Sequence, residues 1–173
     1  MPVTSDSYES KVSAAAVALI AGSATFQAIT AAANATAAKA FIVEDWSGVD
    51  DARPNAQPKA SDGTTLVITN GWAVVRLESS ATEHRAFNTY GRSGTIDCGI
   101  MIPTTAADNP AERFRRARNA QGLIRAEMQA QLGATDTFAS ADIRTEPVVL
   151  MDETGALRDH FLCPIIIDWR DLP

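Results

Sequence analysis

The stretch GRSGTIDCGIMIPTTAADNPAERFRRARNAQGLIRAEMQAQLG, residues 91–133, decides the fold that the sequence predicts. The glycines at 91–94 predict a turn, and the residues after them predict a strand over 95–102 that Pro103 ends. The apolar residues then take the spacing of a helix and keep that spacing to the end of the stretch. The sequence therefore predicts a strand that is followed by one long helix.

The long helix has sequence signals at both ends. Asn109 is a favoured N-cap residue, Pro110 suits the first helical position, and Glu112 stands where a capping box has an acid. Gly133 is typical of a helix stop. Apolar residues recur at steps of three and four and predict one buried face: Phe114, Ala117, Ile124, Met128 and Leu132, with Gln121 filling the gap. We expect this face to cover a β-sheet.

Arginines crowd the first half of the same helix: Arg113, Arg115, Arg116 and Arg118. The positive end of the helix dipole lies there and mildly disfavours cations. At about 100° per residue the arginines do not form one stripe. One interpretation is a solvated helix whose arginine stems cover the edge of the core. The other is that some of these arginines bind acidic groups on another subunit.

The rest of the chain predicts two N-terminal helices and several strands. Asp6 and Ser23 are candidate N-caps within residues 1–40, and the second helix continues towards Ala37. Strands are predicted at 41–46, at 64–69 and 72–78 as a hairpin around Asn70-Gly71, at 83–88, at 143–151 and at 157–169. The last strand alternates and is predicted to be half-buried: its buried face has Leu157, Phe161, Cys163, Ile165, Ile167 and Trp169, and its exposed face has Arg158, His160, Asp168 and Arg170. Pro164 predicts an edge or a bulge near it in this strand.

Together these elements predict one α+β domain over residues 1–173. Its antiparallel sheet has about five to six strands, packed by the long helix on one face. The polar tract 47–63 predicts an extended loop, and its acids lack the spacing of a calcium loop.

Composition limits the classes of function. A hydrophobic fraction of 46% suffices for a core, and a net charge of -6 argues against a dedicated nucleic-acid-binding protein. Residues 12–38 carry no charge, but their alanines and polar residues argue against a membrane span. No secretory signal precedes them. Cys98 and Cys163 are interpreted as small buried apolar residues of an intracellular, reduced protein.

The polar residues form no recognisable catalytic pattern. His160 and Cys163 stand three positions apart on a strand, which places them on opposite faces. No nucleophile elbow and no phosphate-binding glycine loop occurs in the sequence. We therefore expect no enzyme activity, no catalytic residue, no metal site and no cofactor.

The order of segments along the chain is also informative. A helical start rich in small residues contains ATFQAI at 24–29, and a glycine turn leads into the strand at 94–102. The long amphipathic helix follows, and the last strand ends in IIIDW at 165–169. This order resembles the tail-terminator and tail-completion (neck) proteins of long-tailed bacteriophages.

The resemblance implies a structural virion protein of the tail or neck, assembled in the host cytoplasm. Such proteins form a homo-oligomer, a hexameric ring, that caps the tail tube and joins the tail to the head. The implied partners are the tail-tube protein, a head-connector or stopper protein, and DNA that passes through the channel without sequence-specific binding; no membrane is implied. Charge suggests the subunit contacts Arg113, Arg115, Arg116 and Arg118 against Glu44, Asp50 or Asp51.

Two other interpretations stay open. The first is another virion ring, either a head-completion connector or a subunit like that of the tail tube. The second is a small soluble enzyme or ligand-binding module. It would use an apolar pocket around Trp72, Phe87 and Trp169, although the same aromatic residues also suit an ordinary core.

Overall fold

The computed structural model describes residues 8–44, 70–85, 89–103, 109–134, 137–138, 140–150 and 160–171. Its α-helices are α1 (Tyr8–Gly22), α2 (Ala24–Thr30), α3 (Ala35–Ala38) and α4 (Pro110–Gln131). Its strands are β1 (Ile42–Glu44), β2 (Trp72–Arg85), β3 (Thr89–Pro103), β4 (Ser140–Thr145), β5 (Val149–Leu150) and β6 (His160–Asp171). The predicted α+β class is confirmed.

The strands of the described residues form one six-stranded sheet in the order β1-β2-β3-β6-β4, and β5 also pairs with β6. The pairs β2–β3, β3–β6, β4–β6 and β5–β6 are antiparallel, as predicted. Strand β1 runs parallel to β2, which the sequence analysis did not predict. Strand β1 and the β4–β5 segment therefore lie at opposite edges of the sheet.

Strands β2 and β3 form a long hairpin that overturns one prediction. The glycine segment 91–94 was predicted as a turn, but it lies inside β3. A Cβ added to Gly94 would stand 2.2 Å from the Ser79 carbonyl oxygen and 2.8 Å from Cζ2 of Trp169. The absence of a side chain at Gly94 therefore allows the neighbouring strands to lie close together, and the chain does not reverse direction there.

The hairpin predicted around Asn70-Gly71 is also not found in the described residues. Its first strand, 64–69, lies outside them. The Ala73–Val75 segment of β2 pairs with β1 on one side and with β3 on the other. Both edges of this segment are occupied, so the predicted pairing with 64–69 is wrong at these positions. The Gly71 amide instead donates a hydrogen bond of 3.2 Å to the Ile29 carbonyl.

Strand β6 lies between β3 and the β4–β5 segment, so of the edge or bulge predicted near Pro164 the edge is wrong, and the irregularity is a break in the neighbouring strand at residues 146–148. In an antiparallel ladder the N–H and C=O of one residue point to the same neighbouring strand. The Pro164 carbonyl accepts a hydrogen bond of 3.2 Å from the Glu146 amide, so the N–H that proline lacks would also point there. The acceptor that this N–H would meet is the Glu146 carbonyl, which instead accepts a hydrogen bond of 2.9 Å from the Gln121 side chain.

The helices cover one face of the sheet, and the core lies beneath them. The buried side chains of this face are Ile96, Cys98, Ile100 and Ile102 of β3 and Phe161, Cys163, Ile165, Ile167 and Trp169 of β6. Helix α4 adds Ala117, Ile124 and Met128, as predicted, and α1 adds Val12, Ala16, Leu19 and Ile20. The long helix therefore shares the covering of the sheet with α1.

The N-terminal helices are shorter and more numerous than predicted. Ser23 caps α2 as expected, since its hydroxyl accepts a hydrogen bond of 3.0 Å from the Phe26 amide; Asp6 lies outside the described residues. The predicted continuation to Ala37 is wrong, because Ala31 adopts a left-handed conformation that ends α2. No single described helix is long and apolar enough to cross a membrane; α1 and α2 reach that length only as a pair bent by 77°.

Candidate functional site

Helix α4 is capped by its own sequence at the start and is fixed to the sheet by polar contacts in its middle. At its start the Asn109 side chain accepts a hydrogen bond of 2.9 Å from the Glu112 amide, which confirms the predicted N-cap. In its middle, Gln121 is only 4% exposed. Its amide nitrogen donates to the carbonyls of Glu146 at 2.9 Å and Pro164 at 2.7 Å. These bonds place the arginine-rich half of α4 beside the break between β4 and β5.

The second half of α4 holds the N-terminus of α2 through Glu127. Its carboxylate accepts hydrogen bonds from the Ser23 hydroxyl, from the Thr25 amide at 3.1 Å and from the Thr25 hydroxyl at 2.9 Å. Burial opposes ionisation of this carboxyl, but the hydrogen bonds from Ser23, Thr25 and Ala24 outweigh burial and lower the pKa of Glu127. The sequence analysis missed this role, because the partners lie about a hundred positions away in the sequence.

The four predicted arginines have different surroundings. Arg115 and Arg116 are 66% and 62% exposed in their side chains and both pair with Glu112 of the same helix. The surroundings of Arg115 and Arg116 therefore fit the interpretation that these arginines lie on a solvated helix surface. Arg113 is half-buried and interacts within the chain. Arg118 is exposed, and among the described residues it forms no ion pair.

Glu44, the predicted acidic partner that the structure describes, does not meet these arginines within the chain. Glu44 ends β1, and its carboxylate accepts a hydrogen bond of 2.6 Å from the Ser13 hydroxyl while the side chain stays exposed. Strands β2, β3 and β6 separate it from the sheet edge beside which Arg118 lies. Asp50 and Asp51 lie outside the described residues. Glu44 and Arg118 thus lie at opposite edges of the sheet.

Four large apolar side chains are exposed among the described residues, and the sequence did not predict their exposure. Phe114 was predicted on the buried face but is 42% exposed, although its ring meets that of Phe161 edge-on at a centroid distance of 6.2 Å. Leu123 is 55% exposed on the same helix. Val149 and Leu150 of β5 are 51% and 46% exposed. These are the exposed large hydrophobic residues of the described chain, and all belong to α4 or to the strand edge beside it.

Two concavities run along this side of the molecule. The first has a volume of about 370 Å³ between α4 and the segment after β4, and Phe114, Arg118, Glu146 and Val148 are among its lining residues. The second, of about 510 Å³, is lined by Arg118, Asn119, Gly122 and Leu123. Arg118 lines both, and the other lining residues are a mixture of apolar and polar side chains.

The thiols and the buried histidine do not form a catalytic arrangement. Cys98 and Cys163 are free and buried, and burial raises the pKa of both thiols, that of Cys163 to about 12. His160 was predicted on the exposed face of its strand but is only 2% exposed, which corrects that prediction. Among the described residues no group of three or more His, Cys, Asp or Glu side chains is placed to hold a metal ion.

The predicted aromatic pocket is not formed. Trp72 packs with Met101 on the face of the sheet away from α1 and α4, whereas Trp169 lies in the core beneath those helices. The two indoles therefore lie on opposite sides of the sheet, and a pocket around both is excluded. Phe87, the third predicted member, lies outside the described residues.

Comparison of the chain with models of protein families, with curated proteins and with solved structures found no match. The candidate site is thus defined by the geometry of this chain alone. It consists of Arg118 on α4, the concavities that Arg118 shares with Phe114 on one side of the helix and with Leu123 on the other, the adjoining strand β5, and Glu44 at the opposite edge of the sheet.

Proposed function

We propose that the protein is a structural subunit of a long-tailed bacteriophage, a tail terminator that forms a ring. The ring caps the tail tube, ends its growth and joins the tail to a head-connector or stopper protein. The single observation that carries the proposal is the placement of unlike charges, Arg118 and Glu44, at opposite edges of one sheet. Arg118 and exposed apolar side chains lie at one edge, and Glu44 lies at the other.

A ring is one assembly that such a pair of surfaces permits, and an open helical filament is the other. A closed ring needs a heterologous interface, in which one surface of each subunit contacts a different surface of the next. Opposite charges at the same edge of a subunit would pair with each other within the chain, and neither would then be left to bind a neighbouring subunit. Arg118 and Glu44 are separated by three strands, so each remains accessible to another copy.

The remaining parts of the proposal follow from charge and from the chemistry of the side chains. A net charge of -6 disfavours a tight grip on DNA phosphates, which suits a channel through which DNA passes. The proposed function requires no cofactor and no catalytic residue. Both native thiols are buried with raised pKa values, so neither is a nucleophile that a substrate can reach.

The proposal is tested by the mass of the purified chain across a range of concentrations, by negative-stain imaging and by binding to purified phage tail tubes. We expect rings with a central hole, formed either in solution or at the ends of tail tubes. A chain that stays monomeric and ignores tail tubes would refute the proposal. Binding at tube ends also separates a terminator from a head-completion connector, which would bind the head side, and from a tube subunit, which would add along the tube.

A further inference from the structure

The first concavity, of about 370 Å³, is bounded by two different walls. Phe114, Arg118 and Gln121 line it from α4, and their steps of four and three place them on one face of the helix. Pro147 and Val148 line it from the break between β4 and β5. Its volume is at the low end of the range for ligand pockets in proteins. The concavity therefore suits a small ligand or the end of a polypeptide.

Gln121 brings a buried polar side chain into this concavity. Only 4% of the residue is exposed, and its amide nitrogen donates both hydrogens, to the carbonyls of Glu146 and Pro164. Two acceptors at one end of the amide identify that end as the nitrogen. The amide oxygen accepts no hydrogen bond within the described residues, yet it is not one of their fully buried unpartnered atoms. It therefore remains open to an N–H or O–H donor from a ligand.

Arg118 supplies the charge of this concavity. It is exposed and forms no ion pair among the described residues, whereas the carboxylate of Glu146, which also lines the concavity, pairs with Arg144 at 2.9 Å. The charge left for a ligand is therefore positive, and a guanidinium binds a carboxylate through two parallel N–H bonds. Residues three positions apart on a helix have Cβ atoms about 5–6 Å apart. Arg118 and Gln121 can therefore bind an anion and a donor that belong to one small group.

We infer that this concavity binds the C-terminal residue of a partner polypeptide, an apolar residue with a free carboxylate. The carboxylate pairs with Arg118, and the backbone N–H of the same residue donates to the Gln121 amide oxygen. The apolar side chain packs against Phe114, Pro147 and Val148. A free amino acid fits less well, because its ammonium group would lie beside the Arg118 guanidinium.

This contact goes beyond the proposed ring and does not rest on it, because one chain supplies every group of the concavity. A guanidinium has five N–H donors, so Arg118 can bind this carboxylate and an acid of a neighbouring subunit together.

Titration calorimetry of the 173-residue chain with short peptides tests this inference. The reference peptide is acetylated Ala-Ala-Leu with a free carboxylate. We expect its dissociation constant to rise about tenfold when the carboxylate is converted to an amide, because the charge-assisted bonds to Arg118 are lost. We expect a rise of about fivefold when the leucine nitrogen is methylated, because the Gln121 oxygen then lacks its donor. The methylated peptide tests Gln121 without disturbing the two bonds that hold α4 to the sheet.

Two variants of α4 assign the preference for the free acid to one residue. In Arg118→Gln the acid and the amide should bind within about twofold of each other, because the cation that distinguishes them is gone. Arg115→Gln is the matched control, since it makes the same charge change on the same helix at an exposed residue that does not line the concavity. This control should keep the preference of the wild type.

Three outcomes would overturn the inference. The first is equal binding of the acid and the amide to the wild type, or no binding of either below about 1 mM. The second is an equal loss of the preference in Arg118→Gln and Arg115→Gln, which would mean that overall charge selects the acid. The third is binding of acetylated leucine at least as tightly as the tripeptide, which would make a small acylated amino acid the occupant instead of a polypeptide.

Discussion

At the residue scale, Glu127 connects parts of the chain that are far apart in sequence. Its carboxylate accepts hydrogen bonds at the start of α2, where backbone amides would otherwise lack acceptors. The negative charge also lies at the positive end of a helix dipole. The lowered pKa of Glu127 is the titration signature of this cap.

Glu127→Gln is expected to destabilise the fold by about 1 kcal/mol at pH 7. The side chain is partly exposed, and a neutral amide oxygen accepts weaker hydrogen bonds than the charged carboxylate does. The folded pKa is lower than that of the unfolded chain, so the contribution of Glu127 is present above about pH 4.3 and fades as pH falls through the folded pKa. The difference in unfolding free energy between the two proteins should therefore shrink below pH 4. Urea denaturation at pH 7 and pH 3.5 measures it, and a difference that stays constant would contradict the assignment.

The two thiols give a second prediction at this scale. Burial keeps both protonated at pH 8, because the pKa of Cys163 is raised to about 12 and that of Cys98 is raised as well. A thiol reagent should therefore label neither cysteine in the native protein and both after denaturation. Ala18→Cys is the matched control, because Ala18 is exposed on α1 and lies outside the candidate site, so its thiol should react at once. Rapid labelling of a native cysteine in the wild type would show that the core opens.

Single residues also show where prediction from sequence succeeds. Asn109 and Ser23 were predicted as caps and act as caps, because a cap is decided by residues three positions apart. Phe114 was predicted to be buried by its spacing, yet it lies where the first turn of α4 passes the edge of the sheet. Helical spacing identifies a face of a helix, but it does not reveal how far the covered sheet extends.

At the scale of elements, Gly94 sets how closely β2, β3 and β6 approach. Gly94→Ala should destabilise the protein by about 2 kcal/mol, since the added Cβ would collide with the Ser79 carbonyl and the Trp169 ring. Gly122→Ala is the matched control, because its Cβ would meet nothing within 4 Å and alanine favours the helix by about 0.5–1 kcal/mol. Thermal denaturation at one low protein concentration compares them, and equal stability of the two variants would contradict this role for Gly94.

The elements that sequence predicted well are those with local signals. Helix α4 was predicted from its caps and spacing, and the alternation of β6 correctly predicted its buried face. The pairing of β2 was predicted wrongly, because a favourable turn at Asn70-Gly71 suggested a local hairpin. The pairing of β2 with β1 and β3 depends on the packing of the whole sheet and has no local signal in the sequence. The same is true of the exposed surface of the candidate site.

At the scale of the whole molecule, the net charge of -6 opposes the assembly that the local surfaces favour. Copies of the chain repel each other over a Debye length of about 10 Å at 0.1 M salt, which shortens to about 3 Å at 1 M. Apolar contacts at Leu123 and β5 do not depend on this screening. Salt therefore distinguishes charge effects from apolar effects at the proposed interface.

Raising NaCl from about 0.1 M to 1 M should partly restore self-association of Arg118→Glu, because screening reduces the new repulsion between two carboxylates. The same change should not restore Leu123→Asn, since that variant loses apolar contact area and gains no charge. Sedimentation velocity of both variants and the wild type at the two salt concentrations measures the difference. If salt restored the self-association of both variants equally, it would be acting through the overall charge of the subunits. A local contact between Arg118 and an acid would then be excluded as the reason why Arg118→Glu associates more weakly.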